Sequence, residues 1–149
     1  MNMNFELIEN LTVAYLRRVG PYGSDNYAVM DQLKKWAEIT GRLDGGVIYA
    51  IAYDDPDGNP QHCRFDACLV VGKDFVEEPP IRKGELQGGM HAIFEVRHSA
   101  NAMELFWNHL YENIEKAGCT IDESRPVLER YSKELIEKGL CEFCVPVCR

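Results

Sequence analysis

A carboxylate and a phenol stand two residues apart in the segment 126–131. If this segment is extended, Glu129 and Tyr131 face the same side, together with Val127. A carboxylate held beside aromatic rings loses hydration, which raises its pKa toward neutral pH. Such a group can act as a general base toward water or as the counter-charge for a cationic aromatic ligand. The residues alone favour a third interpretation, a surface glutamate beside the positive charge of Arg130.

Aromatic side chains form the second candidate set. They are spread over two predicted helices and two predicted strands: Tyr27, Tyr49, Tyr53, Phe65, Trp107 and Tyr111. Flat side chains gathered from several elements can wall a slot for a planar ligand, although aromatic residues on helix and strand faces more often belong to the core. We expect at least three of the six to line a pocket, with Phe65 and Trp107 the stronger candidates.

Other chemistries lack the residue spacing that they require. Cys141, Cys144 and Cys148 approach a metal-ligand spacing, but they lie in an alternating segment whose residues three apart point to opposite faces. No serine or cysteine carries the signature of an activated nucleophile, and Gly88-Gly89 lacks the lysine of a phosphate-binding loop. We therefore expect no metal and no cofactor.

Composition limits the partners. The 149 residues are 46% hydrophobic and 27% charged, which is typical of one globular domain with its own core. The net charge of −8, without a Lys/Arg cluster, disfavours direct contact with nucleic acid or a membrane surface. No apolar run approaches the ~20 residues that span a bilayer, and no signal peptide is visible. These observations predict a cytoplasmic protein.

The elements that must position these residues alternate between strands and helices. Apolar periodicity predicts a helix from Ser24 or Asp25 to Gly41 and another from Ser99 or Asn101 to Gly118. Alternating patterns predict six strands, over residues 5–10, 12–19, 47–53, 65–71, 90–98 and 140–147. The stretch before the last strand is expected to be irregular. Asp66 is expected to be structural and to pair with Arg64 or Arg17.

This order of elements is a repeated pattern. A strand, a helix and further strands occur twice, and the hairpins beside each helix favour antiparallel sheets. We predict an α+β fold of two tandem, pseudo-symmetric strand-helix-strand-strand modules. They would form a single domain over residues 1–149, with halves of about 1–78 and 79–149 and a ligand pocket at their interface.

Three segments, taken in order, resemble a known family. Residues 13–22 (VAYLRRVGPY) resemble the first strand and turn of the GyrI-like family, also called SbmC-like and related to the effector-binding domains of AraC- and BmrR-type regulators. Residues 64–68 (RFDAC) resemble its central strand motif, and residues 126–131 (PVLERY) resemble its Pro-x-x-Glu-x-Tyr motif. Since the family-like region starts near Met1, we expect a stand-alone member without a DNA-binding module.

The resemblance implies an aromatic-walled pocket with a buried acidic residue between the two modules. It makes Glu129 the pocket glutamate and places Pro21 and Tyr22 at the pocket rim. Stand-alone relatives are implied to be gyrase-interacting toxin-resistance proteins, drug binders, or hydrolases that open the cyclopropane ring of DNA-alkylating compounds. The expected partner is accordingly a planar aromatic or cationic small molecule.

Three functions follow as hypotheses. The leading one is hydrolytic detoxification, in which Glu129 deprotonates a water and the hydroxyl of Tyr131 or Tyr53 stabilises the phenolate that develops. A binding module that sequesters the same compounds, without turnover, is the second. The third is a protective interaction with DNA gyrase through surface acids such as Glu77 and Glu78.

Overall fold

The computed structural model describes residues 3–148, in which one large antiparallel sheet is covered by helices. The predicted α+β class is confirmed. The elements, in chain order, are β1 (Met3–Ile8), β2 (Leu11–Val19), α1 (Ser24–Ile39), β3 (Ile48–Ala52), β4 (Arg64–Val71), β5 (Arg82–Leu86), β6 (Gly89–Arg97), α2 (Ala100–Asn108), α3 (Leu110–Lys116), β7 (Thr120–Ile121), β8 (Leu128–Tyr131), α4 (Lys133–Glu137) and β9 (Leu140–Cys148).

The strand order shows the two modules. Along the sheet it is β1-β6-β9-β8-β3-β4-β2-β5, with β7 paired to β9. The paths β2-α1-β3-β4 and β6-α2-α3-β8-β9 repeat on either side of the central β3–β8 pair. The outermost strands are exchanged, because β1 pairs with β6 and β5 pairs with β2. A division of the chain near residue 78 therefore does not divide the sheet into its two modules.

The helices follow the apolar periodicity, with differences at their ends. Gly23 occupies the N-cap of α1 without a side-chain hydrogen bond, so neither Ser24 nor Asp25 is the cap. Of the two starts predicted for the second helix, Ser99 is the N-cap and Asn101 lies inside α2; the Ser99 Oγ accepts a hydrogen bond from the Ala102 N–H at 3.3 Å. The second predicted helix is broken into α2 and α3 at His109, where the backbone leaves helical geometry.

Short elements occupy stretches where no regular structure was expected. β8 and α4 fill the segment before β9, and β5 follows the Pro79-Pro80 turn. α4 has only five residues and begins after Ser132, whose Oγ accepts from the Leu135 N–H at 3.3 Å. One helical turn of this length is too short to show a periodicity.

Alternation along the central strands separates two faces. Ile48 and Ala50 of β3 pack toward α1, whereas Tyr49 and Ile51 pack in a third core cluster on the opposite face. The last strand alternates in the same way, so that Cys141 and Cys144 lie in different clusters, as their spacing predicts. None of the described helices is both long enough and apolar enough to cross a bilayer.

Candidate ligand-binding site

Glu129 lies where the two modules meet. β8 pairs with β3 so that Glu129 stands opposite Ala50, and Tyr131 stands opposite Ile48. The side chain of Ala50 is a single methyl group, which leaves space above the glutamate. The strand pairing thus places a carboxylate at the centre of the sheet, on the face that the helices cover.

A cavity of about 530 Å³ opens above this pair. We call it the central cavity; its walls come from α1, the start of α2, the central strands and α4. Side chains that line it include Tyr27, Met30, Phe65, His98, Met103 and Ile136. Its volume is in the range of small-molecule sites, and most of its lining is apolar or aromatic.

The carboxylate of Glu129 is held by a phenol and not by a cation. The Tyr131 hydroxyl donates a hydrogen bond to Glu129 Oε2 at 2.8 Å. Burial raises the pKa of Glu129, and the hydrogen bond from Tyr131 lowers it by a smaller amount. In the described part of the chain, no lysine or arginine forms an ion pair with it.

Tyr131 is itself fixed by its neighbours. Burial, followed by the adjacent Glu129 charge, raises the pKa of Tyr131 far above its ordinary value, so the phenol keeps its proton. The ring of His98 packs edge-on against the Tyr131 ring, with a centroid distance of 5.3 Å and an interplanar angle of 68°. Tyr131 therefore positions the carboxylate and directs its own proton toward it.

The structure brings together four of the residues singled out from the sequence. Glu129, Tyr131, Tyr27 and Phe65 all line the central cavity. Phe65 is buried and pairs with Ala52 on the neighbouring strand, and Tyr27 is exposed on α1. Their roles toward a ligand stay predictions.

Tyr49 and Tyr53 are separated from this group. Tyr49 projects from the face of β3 opposite to Ala50, and Tyr53, which directly follows β3, packs against the same core cluster as Tyr49. Neither lines the cavity with Glu129. The guanidinium groups of Arg17 and Arg64 stack on the Tyr53 ring at 5.5 and 5.0 Å. Of the two partners expected for Asp66, the structure shows Arg17, which donates hydrogen bonds of 2.7 and 2.8 Å to the Asp66 carboxylate.

Trp107 and Tyr111 also lie outside the cavity. The Trp107 ring packs edge-on against Phe106 and Phe143, at centroid distances of 5.8 and 5.4 Å. Tyr111 is exposed on α3. Among the described residues of α2 and α3, Met103, one turn before Trp107, is the side chain that lines the cavity.

Pro21 and Tyr22 hold the turn that leads into the cavity wall. The Pro21 carbonyl accepts a hydrogen bond from Arg18 at 2.6 Å. The Tyr22 hydroxyl donates to the Arg64 carbonyl at 2.7 Å and accepts from the Asp54 N–H at 3.0 Å. Neither residue lines the cavity, whereas the next residues, Gly23 and Ser24, do.

Sequence reasoning missed the other lining side chains, which include the polar and charged Asn26, Asp31 and Lys34 as well as Met30, His98, Met103 and Ile136. Met30 and Met103 belong to the apolar helix stripes, which the pattern assigns to the core. Ile136 lies in the stretch expected to be irregular, and His98 carries no sequence signal. Within residues 3–148, no group of three or more His, Cys, Asp or Glu side chains has a metal-binding arrangement.

Comparison with known proteins places the chain among small-molecule binders. The sequence model of the GyrI-like small molecule binding domain matches residues 1–147. YosT, an SPbeta prophage-derived candidate transcriptional regulator of Bacillus subtilis (strain 168), is 37% identical over 149 residues, covering 99% of each chain. The DNA gyrase inhibitor of Edwardsiella ictaluri (strain 93-146) is 29% identical over 139 residues, covering 89% of this chain and 88% of its own.

A solved structure shares the fold. SAV2435 bound to tetraphenylphosphonium superposes with a TM-score of 0.63 at 18% identity, covering 99% of this chain and 94% of SAV2435. At this identity the likeness shows a common fold. The bound tetraphenylphosphonium, a cation with four aromatic rings, is a property of SAV2435.

Proposed function

Because the chain belongs to the GyrI-like small-molecule-binding family, we propose that its central cavity binds an aromatic cation and that Glu129 supplies the counter-charge. The observation that carries this proposal is a half-buried carboxylate in the cavity, whose hydrogen-bond partner is a neutral phenol. Removing a charge from water is costly unless an opposite charge replaces the lost hydration. A cationic ligand would provide that charge, and its binding would be favoured accordingly.

The rest of the cavity supports the same ligand class. Phe65 and Tyr27 offer aromatic surface for a planar ligand, and Tyr27 can add a cation–π contact. Met30 and Met103 have flexible, polarisable side chains that adapt to different shapes. This lining favours several related compounds over a single tightly defined one.

Titration with tetraphenylphosphonium tests the proposal. The Glu129→Gln variant keeps the shape of the side chain and an oxygen for the Tyr131 hydrogen bond, but it removes the charge. We expect its affinity, measured by calorimetry, to fall by about 10- to 100-fold. The control is Glu115→Gln, which removes a charge from the exposed surface of α3 and should bind as the wild type does. Equal affinity of the two variants would reject Glu129 as the counter-charge.

Hydrolysis is a second candidate, favoured by the raised pKa of Glu129. In this reaction Glu129 takes a proton from water, the water oxygen bonds to a cyclopropane carbon, and the carbon–carbon bond breaks. Its electron pair moves to the oxygen of the conjugated dienone, which becomes a phenolate. The Tyr131 proton already points at Glu129, so stabilising that phenolate would require it to turn away.

Turnover separates a hydrolase from a binding protein. A spirocyclopropyl dienone of the DNA-alkylating class is incubated with the wild type and with Glu129→Gln, and its absorbance is followed. Turnover by the wild type that is lost in the variant supports the hydrolase. Binding without turnover by either protein supports sequestration.

An interaction with DNA gyrase is the third candidate, motivated by relatives named DNA gyrase inhibitor. The surface acids proposed for it are engaged in the structure. Glu77 accepts a hydrogen bond from the Lys83 N–H at 2.8 Å, and Glu78 accepts one from Trp36 Nε1 at 3.1 Å. A supercoiling assay with purified gyrase tests it: inhibition that is lost in Glu77→Gln or Glu78→Gln, and retained in Glu129→Gln, supports it. No effect of the wild type rejects it.

A further inference from the structure

A second cavity adjoins the central one on the same face of the sheet. This cavity, which we call the side lobe, has a volume of about 510 Å³ and lies between α1, the loop after it, and α4. Leu43 and Ile48 contribute apolar surface to it. Lys34, Tyr131 and Ile136 line both cavities, so the two share a wall.

Strand register sets the spacing of the two cavities. The central cavity lies over the Ala50–Glu129 pair, and the side lobe lies over the next pair on that face, Ile48–Tyr131. Residues two apart on a strand are separated by roughly 7 Å. One elongated molecule can therefore occupy both cavities by passing over Tyr131.

The rim of the side lobe carries more negative than positive charge. Glu38, Asp44 and Glu137 line it, together with Lys34 and Lys133. Lys133 is paired with Asp44 at 3.6 Å, which leaves two glutamates against one lysine. A second head that is both apolar and cationic matches the apolar floor and this rim.

We propose that the two cavities together bind two-headed ligands, with one aromatic cationic head over Glu129 and a second apolar, cationic head in the side lobe. The inference rests on the proposed function, because the first head occupies the central cavity. It adds a ligand class: elongated dications whose heads are joined by a short flexible linker.

The test compares one-headed and two-headed phosphonium probes. Methyltriphenylphosphonium is the one-headed probe, and bis(triphenylphosphonium) compounds with alkyl linkers of increasing length are the two-headed probes. For the wild type, we expect the best linker to give an affinity at least ~10-fold above that of the one-headed probe, with a decline on either side of that length.

Two variants of α4 locate the second head. Glu137→Trp places an indole in the side lobe, and Glu134→Trp makes the same change at an exposed position of α4 that lines neither cavity. Glu137→Trp should bind the two-headed probes no more tightly than the one-headed probe, and its affinity for the one-headed probe should equal that of the wild type. Glu134→Trp should keep both.

The outcomes distinguish the two proposals. If the one-headed probe binds in a Glu129-dependent way but no two-headed probe binds more tightly, the side-lobe inference is rejected and the proposed function stands. A gain that survives in Glu137→Trp as fully as in Glu134→Trp also rejects it. If neither kind of probe binds, or if Glu129→Gln binds the probes as tightly as the wild type does, the proposed function is rejected and the inference with it.

Discussion

The Tyr131 hydroxyl donates to Glu129 Oε2 at 2.8 Å, and both side chains project from the same face of β8. Since a single residue separates Glu129 from Tyr131 along the strand, their side chains lie side by side, and the phenol fixes the direction of the carboxylate. A phenol satisfies one lone pair and leaves the negative charge in place. The Glu129 carboxylate is consequently held in one orientation while its negative charge stays unpaired by a cation of the described chain.

The first prediction concerns stability and pH. Burial raises the pKa of Glu129 above its ordinary value of 4.5, so the folded protein binds the proton more tightly than the unfolded chain does. The resulting stabilisation is fully present below pH 4.5 and is lost as the pH rises through the folded-state pKa. At about pH 8, Glu129→Gln should therefore be more stable than the wild type by about 1 kcal/mol, or about 3 °C in Tm.

Thermal unfolding of both proteins across the pH range checks this sign. The difference between them should shrink toward pH 4.5 and vanish below it. A variant that is less stable than the wild type at about pH 8 would show that interactions of the ionised carboxylate outweigh its desolvation.

The second prediction concerns the pH dependence of ligand affinity. Cation binding should weaken as the pH falls and Glu129 becomes protonated. Tyr131→Phe removes the hydrogen bond that lowers the pKa of Glu129, so the midpoint of this loss should move to higher pH. Tetraphenylphosphonium titrations at several pH values measure the midpoint. The control is Tyr111→Phe, which removes a phenol hydroxyl from the exposed surface of α3 outside the cavity and should retain the wild-type midpoint. An unchanged midpoint in Tyr131→Phe contradicts the prediction.

The third prediction compares two exposed tyrosines. Tyr27 and Tyr111 are 73% and 69% exposed, but only Tyr27 is among the residues that line the central cavity. Tyr27→Ala should lower tetraphenylphosphonium affinity by about 5- to 10-fold through lost aromatic contact. Tyr111→Ala should leave the affinity unchanged, and a similar loss in both variants would place the ligand elsewhere.

The fourth prediction concerns the ion pair of Arg17 and Asp66. Asp66 is 3% exposed, whereas one-third of the Arg17 side chain reaches solvent. Arg17→Met leaves a buried carboxylate without its charge partner and should reduce the free energy of unfolding by about 3 kcal/mol. Asp66→Asn leaves an arginine that water can reach, so it should reduce the free energy of unfolding by about half as much as Arg17→Met does. Urea denaturation measures both values, and a larger effect of Asp66→Asn would contradict this ordering.

The fifth prediction assigns Tyr22 to the architecture of the rim. Tyr22→Phe removes the hydrogen bonds to Arg64 and Asp54 and should destabilise the fold by about 1 to 2 kcal/mol. Because Tyr22 does not line the cavity, the affinity for tetraphenylphosphonium should change less than 2-fold. A large loss of affinity in a variant that remains folded would instead support a direct ligand contact.

Much of the fold was predictable because long elements carry a clear period. The shared face of Glu129 and Tyr131 follows from strand alternation in the same way. Alternation does not show which face the helices cover. In β3 both faces are apolar, with Ile48 and Ala50 on one and Tyr49 and Ile51 on the other. The placement of Tyr49 and Tyr53 therefore could not be read from the pattern.

The site residues that the sequence did not reveal come from short elements and from pairing across the chain. α4 contributes Ile136 from a single turn. The space over Glu129 depends on its pairing with Ala50, which brings together residues far apart in the sequence. Register between distant strands leaves no local signal in either one.

The exchange of the outer strands bears on how the chain folds during synthesis. Met3 pairs with Phe94, so β1 leaves the ribosome long before its partner strand exists. The first module likewise lacks its edge strand, β5, until residues past 82 have emerged. Contacts this distant in sequence slow folding, because a long loop must close before they form. Each half is thus completed by the other, and we expect the chain to fold in one late, cooperative step.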